Sequence, residues 1–493
     1  SDTSDQGYLH EISWYGCSPT NDIKGAWTVA YSGINRSIRL MDNAEEANIS
    51  EADKKSYNAE GRVLRDWYYL VLWKTWGNVP FYTENLTFPY IAEQLKADEV
   101  YNNMVTDLEE VLDSKILPMK RELTWAGRMT QAAAAMIYAD YVMYQKDESR
   151  YSKALGYVKE VIASGQYKLV TDYDDLFTYA TEWSDEIILD INYISAGGKR
   201  GWGDAGACGG TVIPAMIGVD GLTYVGGQET GHGPYTEFEG GWGFCVITQD
   251  AYEAFEPGDI RRDVAVLNLD TYQEEMMNRG IAVNYTGRYQ NTGYFLRKYL
   301  GRPGGKADQA GDADLNWENN FHLYRYAETL LVAAELAWRT NSGEAQGYFD
   351  QIRERAGLSP KAISEEAIMQ ERRVELLGEG KRYFDLIRFG KAAEVLKPGG
   401  GAIYVTKDAH RFVCTDGTVT QDKPKGEVKT NADGKPLNLV INGELKWTGK
   451  GAAIPQRPQW TENKKYLPIP QIEIESSHGA TVQNPYGRKF QCS

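Results

Sequence analysis

The chain has 493 residues and a formal net charge of −16, with 69 acidic against 53 basic side chains. This acidic balance argues against nucleic acid as a partner, because such binding relies on Lys and Arg to neutralise phosphates. Apolar residues make up 42% and aromatic residues 12% of the chain, which is typical of a folded protein with a large core. The 33 Tyr and 13 Trp include a surplus that could bind the flat apolar faces of sugars.

The metal-binding and thiol residues are sparse. Five scattered cysteines form no CxxC pair, and they leave open either disulfides or small buried thiols: Cys17, Cys208, Cys245, Cys414 and Cys492. Five histidines without an HExxH motif predict no zinc site. Asp308, Asp312 and Asp314 leave a structural cation open, but their spacing is not that of a calcium loop. We therefore predict no metal and no cofactor.

The N-terminal part, residues 22–175, has helical periodicity throughout. Helices are predicted from Asp22 and over 51–74, 98–112, 130–144 and 149–164, each with one apolar face. Thr130 is the expected N-cap of its helix, and the alanine run after it favours close packing between helices. Paired amphipathic helices of this kind indicate tetratricopeptide-like hairpins.

A different pattern begins at about Asp185. Residues 186–191 form a strand-like run, and residues 196–243 are rich in glycine with no helical period. A long irregular segment inside a compact protein is usually functional or disordered, and the aromatic residues here argue against disorder. We predict a loop-rich region over 176–314.

Helical hairpins return over residues 315–397. One hairpin is predicted to begin at Phe321, and Ser364 is the expected N-cap of a helix that ends near Leu377. Residues 398–493 are predicted to hold a Gly- and Lys-rich excursion and a closing segment. Together these parts form one predicted domain over 1–493.

The charged helix after Ser364 allows a structural and a catalytic interpretation. Arg372, Glu375 and Glu379 share one helix face and could pair with each other. The catalytic interpretation makes Glu371 and Glu375 an acid–base pair. Charge rows at helical spacing are usually structural, so we favour the first interpretation.

About seven stretches carry a resemblance to a known family, among them residues 147–169, 348–358 and 466–486. The string ERRVELLGEGKRYFDLIRFGK at 371–391 resembles the C-terminal signature of the SusD/RagB family of surface glycan-binding lipoproteins. Three further stretches resemble segments of that family, in the same order: GRVLRDWYYLVLWKTWGNVPFY at 61–82, GWGFCVITQDAYEAFEPGDIRRD at 241–263 and FHLYRYAETLLVAAELAW at 321–338. The resemblance therefore covers most of the chain.

The resemblance implies a mainly α fold, with tetratricopeptide-like hairpins packed against a large loop-rich region with few short strands. It implies a non-catalytic protein that captures oligosaccharide or polysaccharide and delivers it to a SusC-like, TonB-dependent outer-membrane transporter. It further implies a lipid anchor upstream of Ser1 and a place on the surface of the outer membrane. No catalytic residues are expected.

The residues expected to bind glycan are aromatic side chains in loops, since sugar C–H faces stack on Trp and Tyr rings. The six candidates are Trp14, Tyr15, Trp202, Tyr224, Tyr235 and Tyr289. Trp242 lies in a GWG string that resembles the family pattern, which favours a structural role for it.

Two other functions compete with glycan capture. A glycoside hydrolase needs two carboxylates about 5–9.5 Å apart across a cleft, and acidic residues are abundant here. A tetratricopeptide-type adaptor would instead bind protein segments in a concave groove. Release of reducing ends separates the hydrolase from the receptor, and glycan affinity separates the adaptor from both.

Overall fold

In the computed structural model most regular structure is helical. The structure describes residues 7–195, 201–202, 209–226, 236–286, 292–306, 312–396, 410–413, 419–421, 438–440 and 459–484. Within them, no helix is both long and apolar enough to cross a bilayer. The prediction of a mainly α fold with few short strands is confirmed.

Six helices form the N-terminal part. They are α1 Gly7–Ser13, α2 Lys24–Glu46, α3 Glu51–Trp76, α4 Ala97–Ser114, α5 Gln131–Gln145 and α6 Tyr151–Ala163. Thr130 caps α5 as predicted, because its hydroxyl accepts the N–H of Ala133 at 3.1 Å. The short strands β1 Val79–Pro80 and β2 Gln94–Leu95 pair antiparallel between α3 and α4.

The helix α5 lies at the centre of this part. Nearly all of its residues are buried, including Ala132, Ala133, Ala134 and Ala135. Small side chains allow neighbouring helices to approach closely, and α4 and α6 pack against α5 on either side. The apolar core of this part extends into the C-terminal helices through Leu330 and Leu331.

The loop-rich region contains short elements around a second core. Its helices are α7 Ile213–Ile217, α8 Gln249–Tyr252, α9 Arg261–Ala265 and α10 Leu269–Asn278. Its strands are β3 Ile187–Ile191, β4 Thr223–Gly226, β5 Val266–Asn268, β6 Ile281–Asn284 and β7 Tyr294–Leu296, of which β4 pairs with β6 and β5 with β7. Phe238, Tyr285 and Phe295 are among the residues of this second core.

The first C-terminal hairpin differs from the prediction at its start. Residues Phe321–Arg325 form a strand, β8, that pairs antiparallel with β3, and the helix begins only at Tyr326. The prediction that a helical hairpin begins at Phe321 was therefore wrong by five residues. The strand forms because its partner, more than 130 residues earlier in the chain, satisfies its backbone groups.

The C-terminal helices are α11 Tyr326–Arg339, α12 Ala345–Arg355, α13 Glu365–Glu375, α14 Arg382–Arg388 and α15 Ala392–Val395. Ser364 caps α13 as predicted, with its hydroxyl 3.1 Å from the N–H of Ala367. The helix ends two residues before the predicted Leu377. Gly378 and Gly380 follow with φ of 79° and 75°, in a region that favours glycine.

The closing segment returns to the N-terminal helices. The Nε1–H of Trp76 donates to the carbonyl of Pro468 at 3.1 Å, and the N–H of Leu467 donates to Thr75 at 2.8 Å. The remaining elements are β9 His410–Val413, β10 Val419–Gln421, β11 Asn438–Val440 and α16 Gln471–Ser476, with β9 between β10 and β11.

Cys17 and Cys245 carry free thiols, and burial raises the pKa of Cys17 to about 12. The other three cysteines lie outside the described residues.

Buried ion pairs join the helical parts to the loop-rich region. Glu375 on α13 is fully buried and lies 2.9 Å from Arg261 of α9 and 3.0 Å from Arg325. Lys298, beside β7, reaches Glu379 at 2.7 Å. We name Arg261, Arg325, Arg355, Glu375 and Glu379 the ionic joint.

The charge row on α13 pairs differently from the prediction. Arg372 contacts Glu328 at 3.0 Å and Asp385 at 2.9 Å, rather than its helical neighbours Glu375 and Glu379. Those two glutamates point to the ionic joint instead, where Glu375 pairs with all three arginines and Glu379 pairs with Arg325. Tertiary partners therefore override the pairing that helical spacing allows.

Candidate functional site

Two tryptophan rings form an open shelf on the loop-rich region. The ring of Trp202 stacks on that of Trp242, with centroids 5.7 Å apart and planes 29° from parallel. Trp202 is 63% exposed, whereas Trp242 is half-buried beneath it. A large aromatic ring exposed to this degree and supported by a second ring can stack on the C–H face of a sugar.

Close backbone contacts hold Trp242 in place. The N–H groups of residues 242–244 donate to carbonyl oxygens at the end of α7 over distances of 2.7–2.8 Å. Gly241 lies so near Gly218 that a Cβ added to it would be 2.6 Å from the Cα of that residue. Only glycine permits this approach, so the two glycines fix the segment that carries Trp242.

Tyr224 on β4 is a predicted site residue whose hydroxyl has internal partners. Its oxygen lies 3.1 Å from that of Tyr272 and accepts the N–H of Phe238 at 3.2 Å. Tyr272 donates in turn to Glu237 at 3.0 Å. Burial, with Tyr224 and Glu237 nearby, raises the pKa of Tyr272 well above its usual range. The Tyr224 ring is half-buried and held rigidly, and its contact with glycan stays a prediction.

Trp14 and Tyr15 lie at the end of α1 and are half-buried. Tyr15 packs against the small cluster of Leu386, Ala392 and Trp460, and its carbonyl accepts a hydrogen bond from Lys464 at 2.7 Å. This cluster is separate from the core beneath the loop-rich region. The role of Trp14 and Tyr15 in glycan binding stays a prediction.

Three predicted residues lie outside the described part of the chain, namely Tyr235, Tyr289 and Asp308. In the described ranges, no group of three or more His, Cys, Asp or Glu residues is placed to hold a metal ion. The carboxylate of Asp312 accepts the N–H of Asp314 at 3.0 Å, and Asp314 lies 3.8 Å from Lys306. A cation at these aspartates stays an untested alternative.

The catalytic interpretation of Glu371 and Glu375 conflicts with their surroundings. Their side chains are 3% and 0% exposed, so neither can reach a polysaccharide. Burial alone would raise the pKa of Glu375, but Arg355, Arg325 and Arg261 hold it well below its ordinary value of 4.5. A general acid needs a raised pKa, so this pair is structural.

The sequence favoured a structural role for Trp242, and the structure adds a place in the shelf. The signal that could have identified it is a Trp between two glycines inside an irregular region, because small neighbours leave both faces of a ring accessible. Its pairing with Trp202 joins segments 40 residues apart, and no local pattern predicts that contact.

Comparison with known proteins identifies the family of this chain. A model described as the SusD family matches residues 185–486. A SusD-like protein of Bacteroides ovatus is 24% identical over 390 residues, which cover 74% of this chain and 65% of that relative. The starch-binding protein SusD of Bacteroides thetaiotaomicron is 25% identical over 433 residues, covering 78% of this chain and 72% of the relative.

Solved structures give the same result over a larger share of the chain. Surface glycan-binding protein A from Bacteroides thetaiotaomicron, in complex with laminarihexaose, is 37% identical with a TM-score of 0.78, covering 98% of this chain and 90% of the other. A laminarin-binding SusD-like protein is 27% identical with a TM-score of 0.77 and the same coverage. These proteins are named for binding rather than for catalysis, as the prediction of a non-catalytic chain requires. This chain belongs to the SusD family.

Proposed function

We propose that this protein captures neutral glycan of the laminarin class at the cell surface and passes it to a SusC-like, TonB-dependent transporter. The observation that carries the proposal is the exposed Trp202 ring stacked on Trp242. The similarity to two laminarin-binding proteins supports the ligand class. A lipid anchor upstream of Ser1 and residence on the outer membrane are parts of the same proposal.

The physical reason for such a shelf is that it gives moderate affinity. One sugar ring stacked on an aromatic side chain contributes on the order of 1–3 kcal/mol through the apolar area that it removes from water. A few such contacts hold a polymer that has many equivalent units, yet each contact breaks easily. A receptor that must hand its ligand to a transporter needs this combination.

The test of the shelf is affinity electrophoresis in gels that contain laminarin. Trp202→Ala should lower the affinity roughly tenfold, which corresponds to about 1.4 kcal/mol. Trp202 is largely exposed, so the melting temperature should stay unchanged. Trp125→Ala is the matched control, because Trp125 is also exposed, by 56%, but lies in the N-terminal helical part. Equal retention of the Trp202 variant and the wild type would reject the shelf.

The ligand class needs its own measurement. Calorimetric titration with laminarihexaose, maltohexaose and cellohexaose compares three hexasaccharides of glucose that differ in linkage. We expect heat of binding with laminarihexaose and little with the other two. Stronger binding of maltohexaose would move the assignment to starch-type ligands and leave the shelf itself intact.

Delivery to the transporter is tested in the native membrane. A tagged form of the protein, purified from detergent-solubilised outer membranes, should recover a TonB-dependent transporter in equal amount. Recovery of the receptor alone, under conditions that preserve other outer-membrane complexes, would contradict this part of the proposal.

The competing hydrolase function predicts release of reducing ends from bound laminarin. The buried positions of Glu371 and Glu375 disfavour it. The assay is incubation of the purified chain with laminarin and measurement of new reducing ends. Binding without release supports the receptor.

A further inference from the structure

A second exposed aromatic pair lies on the loop that joins α3 to α4. Phe88 is 86% exposed and Tyr90 is 68% exposed. Their ring centroids are 6.2 Å apart, with the planes at 89° to each other. Single exposed apolar residues are ordinary, but two adjoining large rings form a patch of the kind that marks a binding surface.

The backbone holds Tyr90 in an unfavourable conformation. Its φ is 60°, in the left-handed region that residues with bulky side chains rarely adopt. A hydrogen bond of 2.7 Å from its N–H to the carbonyl of Thr87 closes the turn. Strained backbone of this kind is concentrated at ligand-binding positions.

The Tyr90 ring borders an open cavity of about 520 Å³. The opposite wall is one face of α2, with residues at i, i+4, i+7, i+8 and i+11: Asn35, Arg39, Asp42, Asn43 and Glu46. Asn85 of the loop donates a hydrogen bond to Asp42 and so fastens the loop to the helix. We name this space the α2 cavity.

The polar groups of the α2 cavity are available to a ligand. Within the described residues, the side chains of Asn35, Arg39 and Asn43 have no hydrogen-bond or ion-pair partner. Two amides and a guanidinium offer donors and acceptors at the spacing of neighbouring helical turns. The wall carries one guanidinium and the two carboxylates of Asp42 and Glu46, so it does not favour an anionic ligand.

We propose that the α2 cavity is a second carbohydrate site, which takes a neutral glycan. A sugar ring stacks on Tyr90 beside Phe88, and its hydroxyls bind Asn35, Arg39 and Asn43. The inference rests on the proposed function, because it assigns a second contact to the same polymer. The competing occupant is a protein segment, and the mainly polar wall favours sugar over an apolar peptide.

The experiment compares the full-length wild type with four variants on laminarin gels. They are Phe88→Ala/Tyr90→Ala, Trp202→Ala/Trp242→Ala, the combination of both pairs, and Trp125→Ala as the exposed-ring control. We expect each pair of substitutions to weaken retention roughly tenfold, the combination to remove it, and the control to match the wild type. Circular dichroism should show the Phe88→Ala/Tyr90→Ala variant folded with unchanged melting temperature, since both rings are exposed.

Calorimetry with laminarihexaose gives the second readout. The wild type should bind about two molecules per chain, and either pair of substitutions should leave about one. Full retention by Phe88→Ala/Tyr90→Ala, or no residual binding after Trp202→Ala/Trp242→Ala, would overturn the second site and leave the shelf standing. Unchanged retention after Trp202→Ala/Trp242→Ala, with loss after Phe88→Ala/Tyr90→Ala, would overturn the shelf alone. Failure of the wild type to bind laminarihexaose, maltohexaose and cellohexaose alike would overturn both sites, as would full retention by the combined variant.

Discussion

The helical parts and the loop-rich region reach rigidity by opposite means. In α5, alanine side chains fill the space between helices, and Ala132, Ala133 and Ala134 are fully buried. In the loop-rich region the contact is made by backbone, because Gly210 lies against Asn316 and Gly241 against Gly218 with no room for a Cβ. Side-chain packing needs regular helices, whereas backbone contact lets irregular segments pack while their aromatic rings point outwards. The difference explains how Trp202 is both exposed and well supported.

The two regions meet at the ionic joint, where the first prediction applies. Glu375→Ala removes the carboxylate that faces Arg261, Arg325 and Arg355 and leaves three buried positive charges without it. We expect a loss of about 3–5 kcal/mol in the free energy of unfolding, measured with urea. Glu354→Ala on α12 is the control, since that side chain is exposed and should change stability little. A loss below about 1 kcal/mol for Glu375→Ala would show that the regions hold together without this joint.

The second prediction concerns the backbone contact in the loop-rich region. Gly241→Ala places a Cβ 2.4 Å from the carbonyl oxygen of Ala215, so the segment that carries Trp242 must move. We expect a cost of about 1–3 kcal/mol in unfolding free energy together with weaker retention on laminarin gels.

Gly156→Ala in α6 is the matched control, because no atom lies within 4 Å of a Cβ there. In a helix this substitution should be neutral or stabilising by up to about 1 kcal/mol. If Gly241→Ala behaved in the same way, the close approach of residues 218 and 241 would not fix the shelf.

The third prediction is the converse substitution in the helical part. Ala134→Gly in α5 removes a buried methyl group and increases the conformational entropy of the unfolded chain. It should lower the free energy of unfolding by about 1–2 kcal/mol. Glycan retention should stay unchanged, because Ala134 lines neither the Trp202 shelf nor the α2 cavity. Weaker retention in a stably folded Ala134→Gly variant would show that the two regions are not independent in function.

The fourth prediction is the smallest and uses pH. Burial, with Glu318 nearby, raises the pKa of Glu182 in the loop-rich region to about 7, from an ordinary value of 4.5. Its contribution to stability is therefore complete below about pH 4.5 and is lost as pH rises through 7. In Glu182→Gln, the unfolding free energy should change with pH by about 1 kcal/mol less than in the wild type. This effect is smaller than the pKa shift alone would give, because the side chain is half-exposed to solvent. Urea unfolding at about pH 5 and pH 8 measures it, with Glu354→Gln as control.

The ionic joint should respond to pH with the opposite sign. Burial would raise the pKa of Glu379, but Arg325 and Lys298 lower it to about 2. Its stabilisation is therefore present above 4.5 and is lost as pH falls towards 2. If the loop-rich region unfolded first at acid pH while the ionic joint stayed intact, the opposite pH dependence of Glu182 and Glu379 would be contradicted.

The sequence predicted those parts of the fold that depend on neighbours in the chain. Thr130 and Ser364 were identified as caps because a cap hydroxyl and the backbone N–H that donates to it are three residues apart. The strand at Phe321–Arg325 was missed because its partner β3 lies far away in the chain. Without that partner, the residues before α11 are predicted as the first residues of the helix. The pairing of Arg372 was missed for the same reason, since Glu328 and Asp385 belong to other helices.

The site was predicted only in outline. Aromatic residues in a glycine-rich segment indicated a shelf, and Trp202 among them is an exposed ring whose contact with glycan stays a prediction. The supporting role of Trp242 depends on a contact across 40 residues, and the exposure of Phe88 and Tyr90 depends on where one loop meets α2. Exposure is a property of the folded surface. The periodicity of apolar residues in the sequence predicts it only within helices and strands.

Under the proposed function, a polysaccharide held at Trp202 pulls on the loop-rich region whenever its far end is attached to a larger particle. That tension passes from the loop-rich region into the helices through Glu375, whose carboxylate oxygens lie 2.9 Å from Arg261 and 3.0 Å from Arg325. A stacked sugar contributes on the order of 1–3 kcal/mol through the apolar area it removes from water, whereas removing one partner of a buried ion pair costs about 3–5 kcal/mol. We therefore expect the glycan to leave the rings before the ionic joint opens, so that the same molecule can capture again.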